Sequence, residues 1–372
     1  MLSLRDARLL RMKPPEDRSI KGRGAASNPE GRYERHARGA LDDGWGSLDE
    51  PLPPLETTLM VDHAKSIIAR NDSPDIVFDQ SINPYRGCEH GCVYCYARPS
   101  HAYLGLSPGL DFETRLFYKP DAARLLDAEL RKPGYRCSMI SLGANTDPYQ
   151  PVERRLGVTR SILEVLQRFR HPVSIVTKGA ALIERDLPLL AEMAREGLAS
   201  VAISITTLDP ALKRTLEPRA ASPQARLRAL QLLSEAGVPT MIFFSPLIPF
   251  VNDAEMERVL EAGAAAGARQ ASYIPLRLPY EVKDLFREWL QVHQPLKAAH
   301  VMSLVQQMRG GRDNDARFGS RMRGEGEYAG LLAQRFRLAC RRLGLNSGER
   351  LSLRTDRFRP PPQAGDQIGL DF

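Results

Sequence analysis

Short apolar runs rich in β-branched residues alternate, from about residue 76 onward, with longer segments whose apolar positions recur at helical spacing. Six of these runs are predicted as strands, at 76–82, 138–143, 173–177, 200–206, 239–244 and 271–276. Helices are predicted between them, at 121–131, 159–170, 182–196, 222–236 and 253–266. Strands that alternate with helices predict a parallel sheet with helical crossovers.

The predicted helix 222–236 has the clearest ends. Ser222 can cap it, Pro223 suits its first turn, and Gly237 stands where a left-handed stop is expected. Its apolar residues recur at helical spacing and are expected to pack on the sheet: Leu227, Leu230, Leu233 and Ala236.

Parallel strands with right-handed crossovers can close into a barrel, in which functional residues gather at the carboxyl ends of the strands. The same pattern also fits an open, doubly wound sheet. The hydrophobic pattern alone leaves both architectures open.

Two differently composed segments flank the central domain, which is predicted to span 76–300. Residues 1–55 are rich in Gly, Pro and charge and are predicted to form a flexible basic tail. Residues 301–372 are predicted to form a helical, basic extension. The chain has a net charge of +7, and its positive excess lies at these ends. Residues 1–38 carry 10 Lys/Arg against 5 Asp/Glu and 301–360 carry 13 against 6, whereas 39–300 have a net charge of −3.

Basic ends of this kind suit an anionic partner such as nucleic acid, since Lys and Arg release counterions when they bind phosphates. A Gly-rich stretch of the extension mixes cations with an aromatic residue: Arg309, Arg312, Arg317, Phe318, Arg321 and Arg323. A solvated basic surface explains the same residues equally well.

Composition predicts a reducing, cytoplasmic location. The five cysteines are odd in number and clustered, which argues against a secreted disulfide framework. No apolar run reaches the roughly 18 residues of a membrane span, and the N-terminus lacks a hydrophobic signal core. We therefore expect no membrane association.

Three cysteines fall within eight residues, Cys88, Cys92 and Cys95. Thiolates hold iron–sulfur clusters, and a cubane of four irons normally takes four of them. Three thiolates leave one iron able to coordinate a small molecule, as open metal positions do in catalytic sites. The spacing therefore indicates chemistry at the metal.

The alternative is that this cysteine group binds a zinc ion, with His90 as the fourth ligand. Structural zinc sites usually pair two CxxC-type knuckles. The remaining cysteines, Cys137 and Cys340, form no second knuckle.

The CxxxCx-aromatic-C motif, with Tyr94 as the aromatic residue, resembles the hallmark of the radical S-adenosylmethionine (SAM) superfamily. This resemblance implies a 4Fe–4S cluster whose open iron binds SAM, and reductive cleavage that yields a 5′-deoxyadenosyl radical. It also implies an electron donor such as a flavodoxin or ferredoxin. The implied fold is a partial (β/α)6 TIM-type barrel, with the cluster loop after the first strand.

Polar residues at the ends of the next strands are candidate SAM ligands. Lys178 could pair with the SAM carboxylate, and Ser204 or Thr206 could donate to the ribose hydroxyls. Asp147 or Glu153 could accept from the SAM ammonium group. Taken singly, each is also explained as an ordinary polar residue at a strand end.

A closer similarity is to the spore photoproduct lyase family, over about residues 76–300. Three stretches carry it: Cys92-Val-Tyr-Cys95-Tyr96, Asn145-Thr-Asp147 and Val176-Thr-Lys178-Gly. The resemblance adds Asn145 to the candidate cofactor ligands. By position it also implies a hydrogen-atom relay through Tyr94 and Tyr96, although packing against the cofactor is the favoured explanation for Tyr94.

The segment from Leu216 to Pro223 also resembles these relatives, and Glu217 and Arg219 could reach SAM or substrate. An ordinary surface pair explains them equally well. The family places a hydrogen-donating cysteine after its second strand, but 143–147 contains none. The family's repair reaction is therefore not carried over to this chain.

The sequence thus predicts a radical SAM enzyme that abstracts hydrogen from an unknown substrate, with nucleic acid among the substrate classes considered. Two other classes stay open: a nucleic-acid-binding protein with a structural metal site, and an electron carrier. Neither of these explains an open iron.

Overall fold

The computed structural model describes residues 20–34, 55–348 and 351–362. Within these ranges the strands, in chain order, are β1 Thr58–Val61, β2 Ile68–Arg70, β3 Gln80–Ile82, β4 Tyr85–Arg86, β5 Arg115–Tyr118, β6 Ile140–Leu142, β7 Val173–Thr177, β8 Ala199–Ser204, β9 Thr240–Leu247 and β10 Gln270–Pro275.

The α-helices of the described residues are α1 Asp111–Thr114, α2 Ala122–Leu130, α3 Glu153–Leu156, α4 Val158–Arg168, α5 Ala181–Arg185, α6 Leu187–Arg195, α7 Pro210–Leu216, α8 Pro223–Glu235, α9 Met256–Ala265, α10 Val282–His293, α11 Ala298–Gln307, α12 Ser320–Arg323 and α13 Gly326–Leu343. Within the described residues, two 3₁₀ helices span Arg98–Leu104 and Asp253–Glu255.

The main sheet confirms the predicted parallel α/β fold. Its order is β10–β9–β8–β7–β6–β3–β2, in which only the edge strand β2 runs antiparallel to its neighbour. The six parallel strands correspond to the six predicted runs and succeed one another in chain order. A doubly wound sheet would reverse its order at a switch point, so this succession is the barrel-type arrangement.

The core lies between this sheet and its helices. Ile82, Leu142 and Ile175 are in register on adjacent strands and fully buried. Buried and half-buried residues alternate along β7, with Val173 and Ile175 buried. The sheet therefore has an apolar face, and packing of helices against this face stabilises the fold. A smaller sheet of order β1–β5–β4 lies beside the cysteine loop.

Helix α8 forms as its sequence signals predict. The Ser222 hydroxyl accepts a hydrogen bond from the Ala225 amide at 3.1 Å, and Gly237 adopts φ +79° after the last turn. Leu230 and Leu233 are buried as expected, while Leu227 is half-buried.

The predicted tail and extension both include residues that contact the domain. Residues 20–34 pack on it, and Ala25 is buried beside Cys92; 1–19 and 35–54 lie outside the described residues. Helix α13 packs on α9, where Arg335 pairs with Glu257. The boundaries at 55, 76 and 300 stay predictions.

The segment 351–362 crosses the edge of the sheet opposite the cysteine loop. The Arg354 amide donates to the Gly197 carbonyl and the Arg359 amide to the Phe169 carbonyl, each at 2.9 Å. These carbonyls precede β8 and β7, so the segment covers the amino ends of the strands. In the part of the chain that the structure describes, no helix has the length and apolarity needed to cross a membrane.

Candidate active site

The three clustered cysteines lie on the loop that follows β3, at the carboxyl edge of the parallel sheet. Cys88 and Cys92 are buried, Cys95 is half-buried, and all three are free thiols. Burial raises the pKa of Cys92 to about 12 and raises those of Cys88 and Cys95, because an apolar pocket disfavours a bare thiolate. Cys88 is further disfavoured as a thiolate by the negative charges of Asp147, Cys92 and Cys95. Three neighbouring thiols that need a cation in order to ionise suit an iron–sulfur cluster.

A site for a single metal ion would group several ligands around one point, unlike a cluster site. Among residues 20–34, 55–348 and 351–362, no three His, Cys, Asp or Glu side chains are grouped as ligands of one metal ion. In a cubane each thiolate binds a separate iron.

Backbone hydrogen bonds fix this cysteine loop from several sides. The Cys88 amide donates to the Phe112 carbonyl at 2.9 Å, and the Val93 amide donates to the Leu216 carbonyl at 3.2 Å. Gly87 adopts φ +79°, and a Cβ there would lie 2.6 Å from the Leu116 side chain. The loop is therefore held by the segments that follow its own strand and β8.

Asp147, a predicted SAM ligand, has both carboxylate oxygens engaged by the protein. Oδ1 accepts from the Thr177 hydroxyl at 2.6 Å, and Oδ2 accepts from the Lys178 amide at 2.7 Å. His90 Nδ1 lies 3.3 Å from Oδ2. Burial alone would raise the pKa of Asp147, but the attraction of His90 and these hydrogen bonds lower it to about 2. Asp147 thus ties β7 to the cysteine loop.

Lys178 and Ser204 meet at the ends of β7 and β8. Lys178 Nζ donates to Ser204 Oγ at 2.9 Å and lies 5.8 Å from the centre of the Tyr94 ring. The Lys178 side chain is 17% exposed, so its ammonium group remains accessible to a ligand. The structure thereby brings two predicted SAM ligands beside the aromatic residue of the cysteine motif.

A buried carboxylate, Glu217, stands under this pair. It accepts from the Tyr94 hydroxyl and from Arg226 Nη2, the latter at 2.5 Å, while Lys178 Nζ lies 3.9 Å away. Burial would raise the pKa of Glu217, but Arg226 and Lys178 outweigh it and lower the pKa to about 2. Burial, together with the negative charges of Cys92 and Glu217 and the hydrogen bond to Glu217, raises the pKa of Tyr94 well above its usual value.

Tyr96 and Asn145 lie on the loops that follow β3 and β6. The Tyr96 hydroxyl donates to the Ala144 carbonyl, next to Asn145. Arg277 lies 5.4 Å from the centre of the Tyr96 ring, which is 46% exposed. The Asn145 amide donates to Asn83 Oδ1 at 3.0 Å, and its side chain is exposed.

Arg219 contacts the cysteine loop. Its amide donates to the His90 carbonyl at 3.2 Å, and its guanidinium donates to Glu89 Oε1 at 3.1 Å. Arg219 therefore braces the cysteine loop. Its assignment as a SAM ligand stays a prediction.

Sequence analysis missed several residues that shape the site, foremost Arg226 and Arg98. Both are arginines whose side chains are at most 1% exposed. Arg226 occupies a buried position of α8, between the half-buried Ala225 and Leu227. A charged residue on the apolar face of a helix was the available signal.

One basic residue of the extension is not on the surface. Arg309 is 2% exposed and donates to four backbone carbonyls, those of Pro275, Leu276, Ser320 and Arg321. Its assignment to a phosphate-binding surface is therefore wrong, because its donors bind the end of β10. Arg321 pairs with Asp75, whereas Arg312 and Arg323 are exposed.

Comparison with known proteins supports the motif. Residues 82–263 match the model of the Radical SAM superfamily, so the chain contains a radical SAM domain. An uncharacterised protein of Mycobacterium tuberculosis is 40% identical over 220 residues, which cover 59% of this chain and 64% of the relative. An uncharacterised protein of Methanocaldococcus jannaschii is 30% identical over 174 residues, 47% of this chain and 62% of that protein. The chain thus spans less than two thirds of the length of these relatives.

Among solved structures, a spore photoproduct lyase variant superimposes with a TM-score of 0.55 at 16% identity, over 77% of this chain and 80% of the lyase. Another variant, with bound AdoMet and dinucleoside spore photoproduct, gives 0.54 at 16% identity over the same shares. At this identity the likeness establishes a shared fold.

Proposed function

We propose that this radical SAM domain makes the chain an enzyme that cleaves SAM reductively and abstracts hydrogen from a substrate. The observation that carries the proposal is the set of three free thiols beside a partly exposed Lys178, with Cys88 and Cys92 buried and Cys95 half-buried. When bound, a three-thiolate 4Fe–4S cluster coordinates SAM at its open iron and delivers the electron that releases the 5′-deoxyadenosyl radical.

Lys178 is proposed to bind the SAM carboxylate. Its ammonium group has three donors, of which Ser204 takes one at 2.9 Å. Glu217 Oε1 lies 3.9 Å from Lys178 Nζ, so it attracts the ammonium group to this position without forming a short hydrogen bond. Ser204 and Thr206 line the same strand end and are proposed to face the ribose.

Asp147 is proposed to act mainly by positioning, since both its oxygens already accept hydrogen bonds from Thr177 and Lys178. Asn145 has an exposed side chain and is the freer candidate for a direct contact with SAM.

Tyr96 is proposed to relay a hydrogen atom to or from the substrate. It is half-exposed at the carboxyl edge of the sheet, and its hydroxyl is held by the Ala144 carbonyl. The substrate class is unassigned. The proposed setting is cytoplasmic, with a flavodoxin or ferredoxin as electron donor.

The test is anaerobic reconstitution with iron and sulfide, followed by chromatography for 5′-deoxyadenosine after addition of SAM and dithionite. Wild-type protein should form the product, Cys92→Ala should not, and Cys137→Ala is the matched control that should. A reducible cluster whose spectrum SAM does not perturb, without product, would instead support a structural metal site.

The SAM-binding assignment has its own test. Lys178→Met should weaken SAM binding to the reconstituted protein at least tenfold, on the order of 1.4 kcal/mol. Lys132→Met, at an exposed position after α2, is the control and should bind SAM as wild type does.

A further inference from the structure

A fully buried ion pair lies against the cysteine loop, outside the candidate SAM site. Arg98 Nη2 and Glu113 Oε1 are 2.5 Å apart, and both side chains are 0% exposed. Arg98 Nε donates to the Cys92 carbonyl at 2.9 Å. The remaining Arg98 contacts are to the carbonyls of Pro108 and Gly109, at 3.0 and 2.8 Å.

Glu113 extends this pair to the N-terminal strap, which we define as residues 20–34. The Gly24 amide donates to Glu113 Oε2 at 3.0 Å, and the Ala25 amide donates to Oε1 at 2.8 Å. A continuous chain of hydrogen bonds therefore runs from the strap through Glu113 and Arg98 to Cys92.

The strap and the cysteine loop are also in direct backbone contact. A Cβ added to Gly24 would lie 1.7 Å from the Gly91 carbonyl oxygen, and a Cβ at Gly91 would lie 2.7 Å from Glu113 Oε2. Any side chain at position 24 would therefore push the strap off the loop. The contact excludes water from that side of the loop.

The charge of Arg98 acts on the metal site. Arg98 lies three positions after Cys95, and its guanidinium donates to the Cys92 carbonyl at 2.9 Å, which places its positive charge beside the cysteines. Since Glu113 balances Arg98, the pair contributes little net charge. Reducing a cluster adds one negative charge, and the reduction potential responds to nearby charge and to solvent exposure.

We propose that the Arg98–Glu113 pair and the N-terminal strap keep the cluster at a low reduction potential, by balancing the guanidinium charge and excluding water. This inference rests on the proposed function. An unbalanced buried cation, or added water, would favour the more negative reduced state, so loss of the Glu113 charge or of the strap should raise the potential.

The experiment is an anaerobic potentiometric titration of the reconstituted full chain, followed by electron paramagnetic resonance. Glu113→Gln, which keeps the shape and removes the charge, should raise the midpoint potential. Gly24→Ala should raise it as well, and should lose cluster absorbance several-fold faster in air. Glu113→Asp, which retains the charge, should restore a potential close to that of wild type.

Asp186→Asn is the matched control. Asp186 is 0% exposed and pairs with Arg160 and Arg185, but it precedes α6 and makes no contact with the cysteine loop among the described residues. It should leave the midpoint potential unchanged.

A loaded Glu113→Gln protein with the wild-type potential overturns the proposal. Should that variant fail to load, an unchanged potential in Gly24→Ala overturns it in the same way. Wild-type protein that forms no SAM-cleaving cluster refutes the proposed function itself. Wild-type activity with unshifted potentials in the variants refutes only the role of the pair and the strap.

Discussion

Arg226 donates a hydrogen bond to Glu217 at 2.5 Å, and the two side chains are 1% and 0% exposed. Arg226 Nη1 also donates to the Ser204 carbonyl at 2.8 Å. The pair therefore joins α8 to the end of β8, and Glu217 passes the connection on to the Tyr94 hydroxyl of the cysteine loop. A charge network inside the core thus holds the aromatic residue of the motif in place.

Replacing Arg226 should be strongly destabilising. Arg226→Met leaves the Glu217 carboxylate buried without its main partner, which costs about 3–5 kcal/mol. Urea unfolding should report this loss. Arg228→Met, on the exposed face of the same helix, should change the free energy of unfolding by no more than about 0.5 kcal/mol. Equal effects of the two substitutions would contradict the assigned network.

The acid dependence of stability should carry the signature of Glu217. The pKa of Glu217 falls from 4.5 to about 2 on folding. Its ionised form therefore stabilises the folded protein at pH values above the pKa of the unfolded state. That contribution to stability is lost as the pH falls through the pKa of Glu217 in the folded state.

Glu217→Gln should therefore be less stable than wild type near neutral pH, and the difference should narrow between about pH 5 and about pH 2. Urea unfolding across this range measures it. Glu235→Gln, at an exposed position of α8, should show a difference that does not depend on pH in this way.

The cysteine motif and the six parallel strands were predictable because their signals are local. Cys88, Cys92 and Cys95 fall within one loop, and each strand reveals itself by a short apolar run. Strand lengths were less accurate: 76–82 yields only Gln80–Ile82, because 74–79 forms turns and irregular structure instead.

The single helix predicted at 182–196 is two helices in the structure. Helices α5 and α6 break at Asp186, and Pro188 lies in the first turn of the second helix. The amphipathic pattern continues across the break, so apolar periodicity alone does not show it. Asp186 is buried at this junction, where Arg160 and Arg185 pair with it.

Residues that act through long-range partners were beyond sequence analysis. Gly24 and Glu113 are 89 positions apart, and Tyr94 and Glu217 are 123 apart. No periodicity links such positions, since they meet only when the loops converge at one edge of the sheet. The N-terminal strap was accordingly counted as part of a tail.

Gly143 should be intolerant of any side chain. It adopts φ +91°, and a Cβ there would lie 2.1 Å from the Val176 carbonyl oxygen. Gly143→Ala must therefore displace the loop that carries Asp147, and with it the Lys178 amide. We expect a lower melting temperature and weaker SAM binding by calorimetry.

Gly105→Ala separates conformational strain from collision. Gly105 has φ +65° with nothing within 4 Å of the added Cβ, so only about 1–2 kcal/mol of backbone strain applies. Its SAM affinity should match wild type. A Gly143→Ala protein as stable as Gly105→Ala would show that the Val176 contact is unimportant.

Arg309 and Arg312 should behave as different kinds of residue, although three positions of one basic stretch separate them. Arg309→Met removes the donors of four carbonyl contacts, of which those to Pro275 and Leu276 are buried, and an unsatisfied buried acceptor costs about 1–3 kcal/mol. The variant should lose at least about 2 kcal/mol of unfolding free energy, measured in urea. Arg312 is exposed, so Arg312→Met should be close to neutral. If Arg309→Met were as stable as wild type, the end of β10 would not depend on the guanidinium.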